Sequence, residues 1–425
     1  MVEINKCGSL EMDEKKKIEI CFAASSGGHY EQLMMLKPLM KKYDSFVITE
    51  KTDYSAESKG EKTYYMKQVN RREKDFIWRM IQNSWKSIKS IPRLFDPLLM
   101  KGKISSYFLN KRIKKYPDIY EKCKERNRIF DKFAERYFTN LSPIYYGYDA
   151  LKDGTKGYDT FLVGSDQLWL PSGLATGFYN LQFAPDEKLK IAYATSFGVS
   201  KIPMHQKNKT AKYLDRFHYL SSREKSGTNI IKQLTGRDVP VVVDPTLLLT
   251  PEDWKKIIPF HRVVEEKYIF CYFLGDNSEH RKAAKELQRA TNLKIVALPL
   301  LDNFVLDDLE FADICLFDAA SDDFVNLIRG AEYVLTDSFH GSVFSILNEK
   351  LFCTFNRFNN GTGSRNSRID SLCQQLNLES RRYDGDIFKV QTQIDYNKVN
   401  HLREERRKES LQYLTTALKG EITIG

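Results

Sequence analysis

Short runs of apolar residues alternate with longer stretches of helical periodicity along most of the chain. The runs are rich in Val, Ile, Phe and Tyr and end in small or polar residues, as buried strands do. We predict strands at 18–25, 45–50, 160–165, 190–198, 217–224, 239–246, 267–275, 294–300, 314–318, 332–337 and 351–356. Apolar strands separated by helices are typical of parallel sheets that carry helices on both faces.

The strands fall into two series, which predicts two Rossmann-like α/β domains that face each other across a cleft. We place the first domain at 1–255 and the second at 256–395. The remaining residues, 396–425, have the periodicity of one long amphipathic helix. In open α/β sheets ligands bind beyond the carboxyl ends of the strands, so polar residues that follow a strand are the first candidates for a site.

Composition narrows the class of protein. Of the 425 residues, 42% are apolar and 29% are charged, as in an ordinary globular chain. The seven cysteines show no metal-ligand spacing, so we expect reduced thiols and no metal centre. No apolar run approaches the ~18 residues that a membrane span needs. Because residues 1–17 are also too polar for a signal peptide, we expect a cytoplasmic protein.

Positive charge is concentrated in 71–138, where nineteen Lys and Arg accompany eight Asp and Glu. Within this region, 71–91 place Phe76, Trp85 and other apolar residues on one helical stripe, with basic residues largely off it. Such a helix can lie in an anionic lipid interface at the inner face of the membrane, pack on a sheet, or expose a solvated basic face. No nucleic-acid motif accompanies it, so we expect no nucleic-acid partner.

The sequence TDSFHGS at 336–342 follows a predicted strand and opens a predicted helix. His340 can exchange protons near neutral pH, and Gly341 lets a ligand approach the backbone closely. Ser338 and Ser342 can donate hydrogen bonds to phosphate or carboxylate oxygens. In the alternative interpretation, Ser338 only caps the helix and the histidine is a satisfied polar neighbour.

Four other loops place small, polar or basic residues at predicted strand ends or helix starts. Arginine offers a planar fork that fits carboxylate or phosphate, and the glycine-rich SSGGH loop has the geometry of a phosphate-binding turn without being a P-loop. Each loop is also compatible with ordinary turn or surface chemistry. The candidate ligand contacts in these loops are Ser165, Asp166, Arg223, Arg365, Arg368, Gly27, Gly28 and His29.

Six sequence blocks, in this order between about 145 and 381, resemble the polysaccharide pyruvyl transferases. They are YDTFLVGSDQLW, KIAYATSFG, SSREKSG, VVVDPTLLL, YVLTDSFHGSVFSILNEK and NSRIDSLCQQL. The resemblance implies a GT-B-like fold and transfer of the pyruvyl group from phosphoenolpyruvate to a sugar as a ketal. It places the protein in capsule, exopolysaccharide or cell-surface glycan biosynthesis. Phosphoenolpyruvate is then a donor substrate, and no cofactor is implied.

The same resemblance implies roles for individual residues. It marks His340 as the catalytic acid and base, and Arg223 as a cation that binds the donor anion. It also places Ser165 and Asp166 in the cleft, on the side of the amino-terminal domain.

One position departs from the family pattern. Some members carry arginine two residues before the histidine, where this chain has Ser338. The second positive charge on the phosphate is then expected from Arg365 or Arg368.

The amino-terminal residues resemble a different family. KKIEICFAASSGGHYEQLMMLKPLMKKYDSFVITEKTDYS, within 17–91, is similar to the membrane-associated subunits of two-part capsule and exopolysaccharide glycosyltransferases. This resemblance implies a βαβ unit with an SSGGH loop, and it leaves open whether that loop contacts substrate.

Two other functions stay open at this point. One is a nucleotide-sugar-dependent glycosyltransferase, in which Glu349 would serve as a ribose-binding acid. The other is a non-catalytic scaffold of a polysaccharide assembly complex, recruited to the membrane by 71–91. For the pyruvyl transferase, nucleotide-linked, lipid-linked and polymeric sugars are all candidate acceptors.

Overall fold

A computed structural model of the protein describes residues 19–23, 44–51, 63–67, 116–137, 148–174, 177–299, 307–357 and 366–420. Within these residues the strands form two five-stranded sheets in which every pairing is parallel. The prediction of two parallel α/β units is therefore confirmed. The boundaries at 255 and 395 stay predictions.

The first sheet has the strand order β3-β2-β1-β4-β5. Its strands are β1 (Glu19–Ala23), β2 (Asp44–Lys51), β3 (Thr63–Lys67), β4 (Thr160–Val163) and β5 (Leu189–Ala192). The described helices before and around this sheet are α1 (Pro117–Tyr137), α2 (Tyr148–Gly154), α3 (Pro171–Leu174), α4 (Met204–Asp215), α5 (Lys225–Thr235) and α6 (Pro251–Ile257). Strand β3 was not predicted from the sequence.

The second sheet has the strand order β10-β9-β6-β7-β8. The loop that contains His340 follows β9, the neighbour of the central strand β6. Its strands are β6 (Tyr268–Tyr272), β7 (Lys294–Ala297), β8 (Ile314–Cys315), β9 (Tyr333–Thr336) and β10 (Leu351–Thr354). Its helices are α7 (Ser278–Thr291), α8 (Asp307–Phe311), α9 (Ser321–Gly330), α10 (Phe339–Leu347) and α11 (Ser367–Gln375), and α12 (Tyr396–Lys419) ends the described chain.

Two of the predicted strands, 217–224 and 239–246, are wrong. The chain runs beside β5 there, but it forms only isolated bridges such as Thr195 with Ser222. Backbone hydrogen bonds, such as Ala192 N–H to the Tyr219 carbonyl at 2.9 Å, alternate with side-chain ones: the Ala194 N–H donates to Ser221 Oγ at 3.1 Å, and Ser222 Oγ donates to the Thr195 carbonyl at 2.8 Å. Apolar composition predicted the burial of these segments correctly, but not their backbone pairing.

Opposite faces of β6 belong to different cores, because successive side chains of a strand point to opposite sides. Tyr268 and Phe270 pack in a core that includes α10 and also residues of the first sheet, such as Ile191. Ile269 and Cys271 pack with α7 and the other face of the second sheet. The first of these cores therefore ties the two sheets together.

The long carboxyl-terminal helix predicted from the sequence is confirmed as α12, and it contacts both halves. Ser410 Oγ accepts the Val243 N–H at 2.9 Å, on the side of the first sheet. Near the other end, the Tyr396 hydroxyl donates to the Lys350 carbonyl at 2.6 Å, beside β10. The helix therefore acts as a brace between the two halves of the chain. Across the described residues, no helix has the length and apolarity that a membrane crossing requires.

We expect Ser410→Ala to destabilise the protein by about 1–3 kcal/mol, because it leaves the buried Val243 N–H without its acceptor. Thr415→Ala on the same helix is the matched control, since Thr415 is exposed and its hydroxyl bonds only to a carbonyl of its own helix. Urea unfolding of both variants measures the difference. Equal midpoints for the two variants would contradict the brace.

Candidate active site

The loop after β9 is held by its own hydroxyl groups. Ser338 precedes α10 and its Oγ accepts the Gly341 N–H at 3.3 Å, the geometry of a helix cap. Ser342 Oγ donates to the Ser338 carbonyl at 3.1 Å and lies 3.1 Å from Thr354 Oγ1. These contacts match the interpretation of Ser338 as a helix cap. The hydroxyl groups of Ser338 and Ser342 are both buried and form hydrogen bonds within the protein.

Gly341 serves close packing between the helix and its strand. A Cβ atom added there would lie 2.5 Å from Thr336 Oγ1, which is far inside contact distance. The space beside Gly341 is thus filled by β9. Close packing on Thr336 therefore explains the glycine, and the approach of a ligand to the Gly341 backbone stays a prediction.

His340 is the residue of this loop whose side chain is partly exposed to solvent. Its side chain is 18% exposed, while its neighbours in the first turn of α10 are buried. Nε2 lies 3.8 Å from Oδ2 of Asp244, a residue of the first half of the chain. The imidazole therefore stands at the junction of the two halves with a carboxylate beside it, the usual setting of a histidine that carries protons.

Asp244 is a site residue that the sequence reasoning missed. Thr246 donates to its Oδ1 from both N–H (3.1 Å) and hydroxyl (2.8 Å), and Arg223 Nη1 lies 2.5 Å from Oδ2. Burial raises the pKa of this carboxyl, but the nearby imidazole of His340 and the charge of Arg223 outweigh it and hold the pKa far below its usual value. Asp244 is therefore a permanent anion next to His340. The available signal was an acid followed by proline at the end of the apolar run VPVVV.

Arg223 lies at the centre of the site, but not as a free cation. Its guanidinium pairs with Asp166 and Asp244 and lies 4.2 Å over the ring of Phe339. Only 1% of the side chain is exposed. Burial opposes its charge, yet the surrounding carboxylates raise its pKa further above the ordinary arginine value. The terminal nitrogens of Arg223 therefore organise the carboxylates around His340, and its role as a cation that binds the donor anion stays a prediction.

Asp166 also binds Arg368, which connects the two halves through charge. Arg368 Nη1 lies 3.0 Å from Asp166 Oδ1, and both side chains are at least nine-tenths buried. Burial lowers the pKa of Arg368 to about 10, against the opposing effect of Asp166, so the guanidinium stays charged near neutral pH. A second contact at the same junction joins Ser226 Oγ to Ser367 Oγ at 3.2 Å.

Glu224 adds a third carboxyl to this cluster. The side chain is fully buried, and Ser196 Oγ donates to its Oε1 at 2.7 Å. Its Oε2 lies 4.0 Å from Arg223 Nε, too far for a hydrogen bond. Burial raises the pKa of Glu224 above its usual value, against the opposing charge of Arg223.

Three buried donors in this cluster have no hydrogen-bond acceptor among the described residues. They are Ser165 Oγ, Arg223 Nε and Arg368 Nε. Buried donors are nearly always paired in native proteins, so these three are available to donate to a water or ligand oxygen as partner. All three residues are candidate ligand contacts in the sequence analysis, and that role stays a prediction.

Four of the other candidates lie outside the described residues: Gly27, Gly28, His29 and Arg365. The basic amphipathic segment 71–91 does so as well. Glu349 is described, and its Oε1 accepts a hydrogen bond from Asn400 Nδ2 at 2.7 Å. That contact joins the carboxylate to α12, and the ribose-binding role of Glu349 stays a prediction.

Comparison with known proteins decides the family. The family model of polysaccharide pyruvyl transferases matches residues 72–357, well over half of the 425 residues. The chain belongs to the polysaccharide pyruvyl transferase family. Among curated proteins, no sequence gives a significant match.

Solved structures show which fold this pyruvyl transferase has. The UDP-N-acetylglucosamine 2-epimerase from Rickettsia bellii has a TM-score of 0.51 at 8% identity, over 95% of this chain and 98% of that chain. The UDP-GlcNAc 2-epimerase from Methanocaldococcus jannaschii, in complex with UDP-GlcNAc and UDP, scores 0.49 at 10% identity, over 94% and 99%. The expected GT-B-like fold is confirmed, and identities this low carry nothing further.

Family membership implies a transferase with a donor substrate and a sugar acceptor. The second resemblance, of 17–91 to the membrane-associated subunits of glycosyltransferases, finds no support in these comparisons and stays a prediction.

Proposed function

We propose that the protein transfers the pyruvyl group of phosphoenolpyruvate to a sugar as a cyclic ketal, with His340 as the acid and base. The observation that carries the proposal is the position of His340 in a pyruvyl transferase chain. Its ring is partly exposed at the junction of the two halves, and its Nε2 lies 3.8 Å from a permanently ionised Asp244. Among the described candidates it is the group best suited to exchange protons with a substrate.

The donor is an enol phosphate with a carboxylate, so its binding needs hydrogen-bond donors and positive charge. Ser165 Oγ, Arg223 Nε and Arg368 Nε are the buried donors that lack acceptors. Charged donors bind carboxylate and phosphate oxygens more strongly than neutral donors. We assign the donor carboxylate to these groups. Arg223 then has two tasks, since its terminal nitrogens also hold Asp166 and Asp244.

The proposed reaction uses one proton transfer to carbon and two additions of oxygen. His340, protonated, gives its proton to the methylene carbon, which becomes the methyl group and leaves a cationic centre on the carbon that bears phosphate. A sugar hydroxyl adds to that carbon and returns its proton to the imidazole. The carbon–oxygen bond to phosphate then breaks, a second hydroxyl of the sugar adds, and its proton leaves with the phosphate. Asp244 stabilises the imidazolium in each cycle.

The experiment that tests the proposal follows phosphate release. The protein is incubated with phosphoenolpyruvate and a panel of sugars that are nucleotide-linked, lipid-linked or polymeric. We expect phosphate to be released only with a matching acceptor, together with an acceptor mass gain of one pyruvyl unit. A parallel series with UDP-sugars in place of phosphoenolpyruvate tests the glycosyltransferase alternative. Transfer of a glycosyl unit there, with no phosphate release in the first series, would refute the proposal.

A further inference from the structure

The outer face of α7 carries a groove that the proposed reaction does not use. Its volume is about 520 Å³, within the range of ligand sites. The groove lies between α7 and the short helix α8 and is lined by Ser278, Arg281, Lys282, Lys285, Arg289, Glu310 and Phe311. We call it the α7 groove.

The α7 groove is strongly basic. Four cationic side chains and one carboxylate, that of Glu310, line the groove. Of the four cations, Arg281 forms an ion pair, with Asp308. No ion pair joins Lys282, Lys285 or Arg289 to a described carboxylate, although Lys285 Nζ donates to Gln288 Oε1 at 3.0 Å and Glu286 lies on the same helix. The spacing of these three cations, three and four residues, puts them on one helical stripe. A row of unmatched cations across about 10 Å of helix fits a ligand with several separated negative charges.

The position of the α7 groove relative to His340 suggests an extended ligand. Helix α7 packs on one face of the second sheet and α10 on the other. Both helices begin at the carboxyl edge of that sheet, and the N–H groups of Leu274 and Gly275, just before α7, donate to Asp337 at 2.7 and 2.9 Å. Ser278, where the groove begins, therefore lies at the same edge of the sheet as the start of α10, which is the arrangement that a chain extending from His340 to the groove needs.

The lining favours an acidic glycan over a membrane surface. Ser278 and Glu310 offer a hydroxyl and a carboxylate for sugar hydroxyl groups, while the row of cations fits carboxylates. Phe311 is 7% exposed, so the groove presents no large apolar side chain for insertion into a bilayer. The proposed reaction itself makes such a ligand, because each pyruvyl ketal adds one carboxylate to the glycan.

We propose that the α7 groove binds the anionic glycan chain that carries pyruvate ketals, and so holds the product, or a partly modified acceptor, beside the active site. The inference rests on the proposed function for the identity of the anion. The binding itself needs no catalysis.

The test measures binding by the full-length protein with His340→Ala, so that no turnover occurs. The probe is a set of oligosaccharides from a polysaccharide whose acidic groups are pyruvate ketals, and the comparison is the same set after acid removal of the ketals. We expect binding of the first set only. We also expect the triple substitution K282S/K285S/R289S to weaken it about tenfold, since exposed ion pairs contribute modestly and additively.

A control of equal charge change is K212S/K255S/K256S, on exposed lysines of α4 and α6. We expect it to bind like the parent, and binding to weaken as salt is raised. Equal binding of oligosaccharides with and without ketals, or an equal loss in both triple variants, would overturn the inference. Binding of anionic phospholipid vesicles through the same three residues, with no binding of the oligosaccharides, would do so too.

The outcome of this binding test can be distinguished from the outcome of the phosphate-release test of the proposed function. Transferase activity without groove-dependent glycan binding would refute the proposed glycan site in the α7 groove and leave the proposed reaction unaffected. Binding through the groove in a protein that never releases phosphate from phosphoenolpyruvate would refute the reaction and leave an acidic-glycan site.

Discussion

We expect His340→Ala to lower kcat at least about a hundredfold with little change in stability. The imidazole is the proposed proton carrier, and general acid–base catalysis contributes about 10²–10⁴-fold. Its side chain lies at the surface of the junction, so its removal opens no large cavity in the core. The measurement is phosphate release from phosphoenolpyruvate with a matched sugar acceptor, together with the thermal unfolding midpoint.

His205→Ala is the control, because His205 is an exposed histidine on α4, away from the junction. It should leave kcat unchanged. His340→Gln separates proton transfer from hydrogen bonding, since the amide keeps a donor but cannot shuttle a proton; we expect it to be as inactive as alanine. A kcat within threefold of wild type in either His340 variant would remove the imidazole from the mechanism.

Arg223→Ala destabilises the protein by about 3–5 kcal/mol, the effect of leaving buried charges without their partner. Asp166 and Asp244 both lose their central guanidinium, and Asp244 is also the carboxylate beside His340. We therefore expect a lower unfolding midpoint and an activity loss that extends to kcat. If Arg223 served only to bind the donor, stability would stay the same and the KM for phosphoenolpyruvate alone would rise.

Two further variants make this prediction specific. Lys232→Ala breaks an exposed ion pair with Asp238 and should change stability by no more than about 1 kcal/mol. Adding Asp244→Asn to Arg223→Ala should recover part of the lost stability, because Asp244 is the carboxylate left without a guanidinium, whereas Asp166 keeps Arg368. A double variant that is less stable than the sum of its single changes would show that Arg223 is not held by the cluster in the way the structure indicates.

Several elements could be predicted from the sequence because their signals are local. The strand that ends at Thr336 is a continuous apolar run, and the residues after it are cap and turn residues. Helix α12 follows from its periodicity over more than twenty residues. The segments 217–224 and 239–246 misled the prediction because an apolar run reports burial and not the partner of each backbone group.

The cluster around Arg223 shows what local signals cannot supply. Asp166, Arg223 and Asp244 come from three separate segments of the first half, and Arg368 comes from the second. Each residue alone resembles an ordinary turn or surface residue. Only their convergence makes Arg223 a buried centre rather than an open grip, and leaves specific nitrogens and a hydroxyl without acceptors.

The sequence by itself determined the class of fold, the strand–loop–helix that presents His340, and the family to which these blocks belong. The tertiary structure decided which acid lies beside that histidine, and that Ser338, Gly341 and Ser342 serve packing. The physical reason is that burial and periodicity are written along the chain, whereas charges interact through space. Residues about 100 to 200 positions apart, such as Asp244 with His340 or Asp166 with Arg368, become partners only when the two sheets are joined.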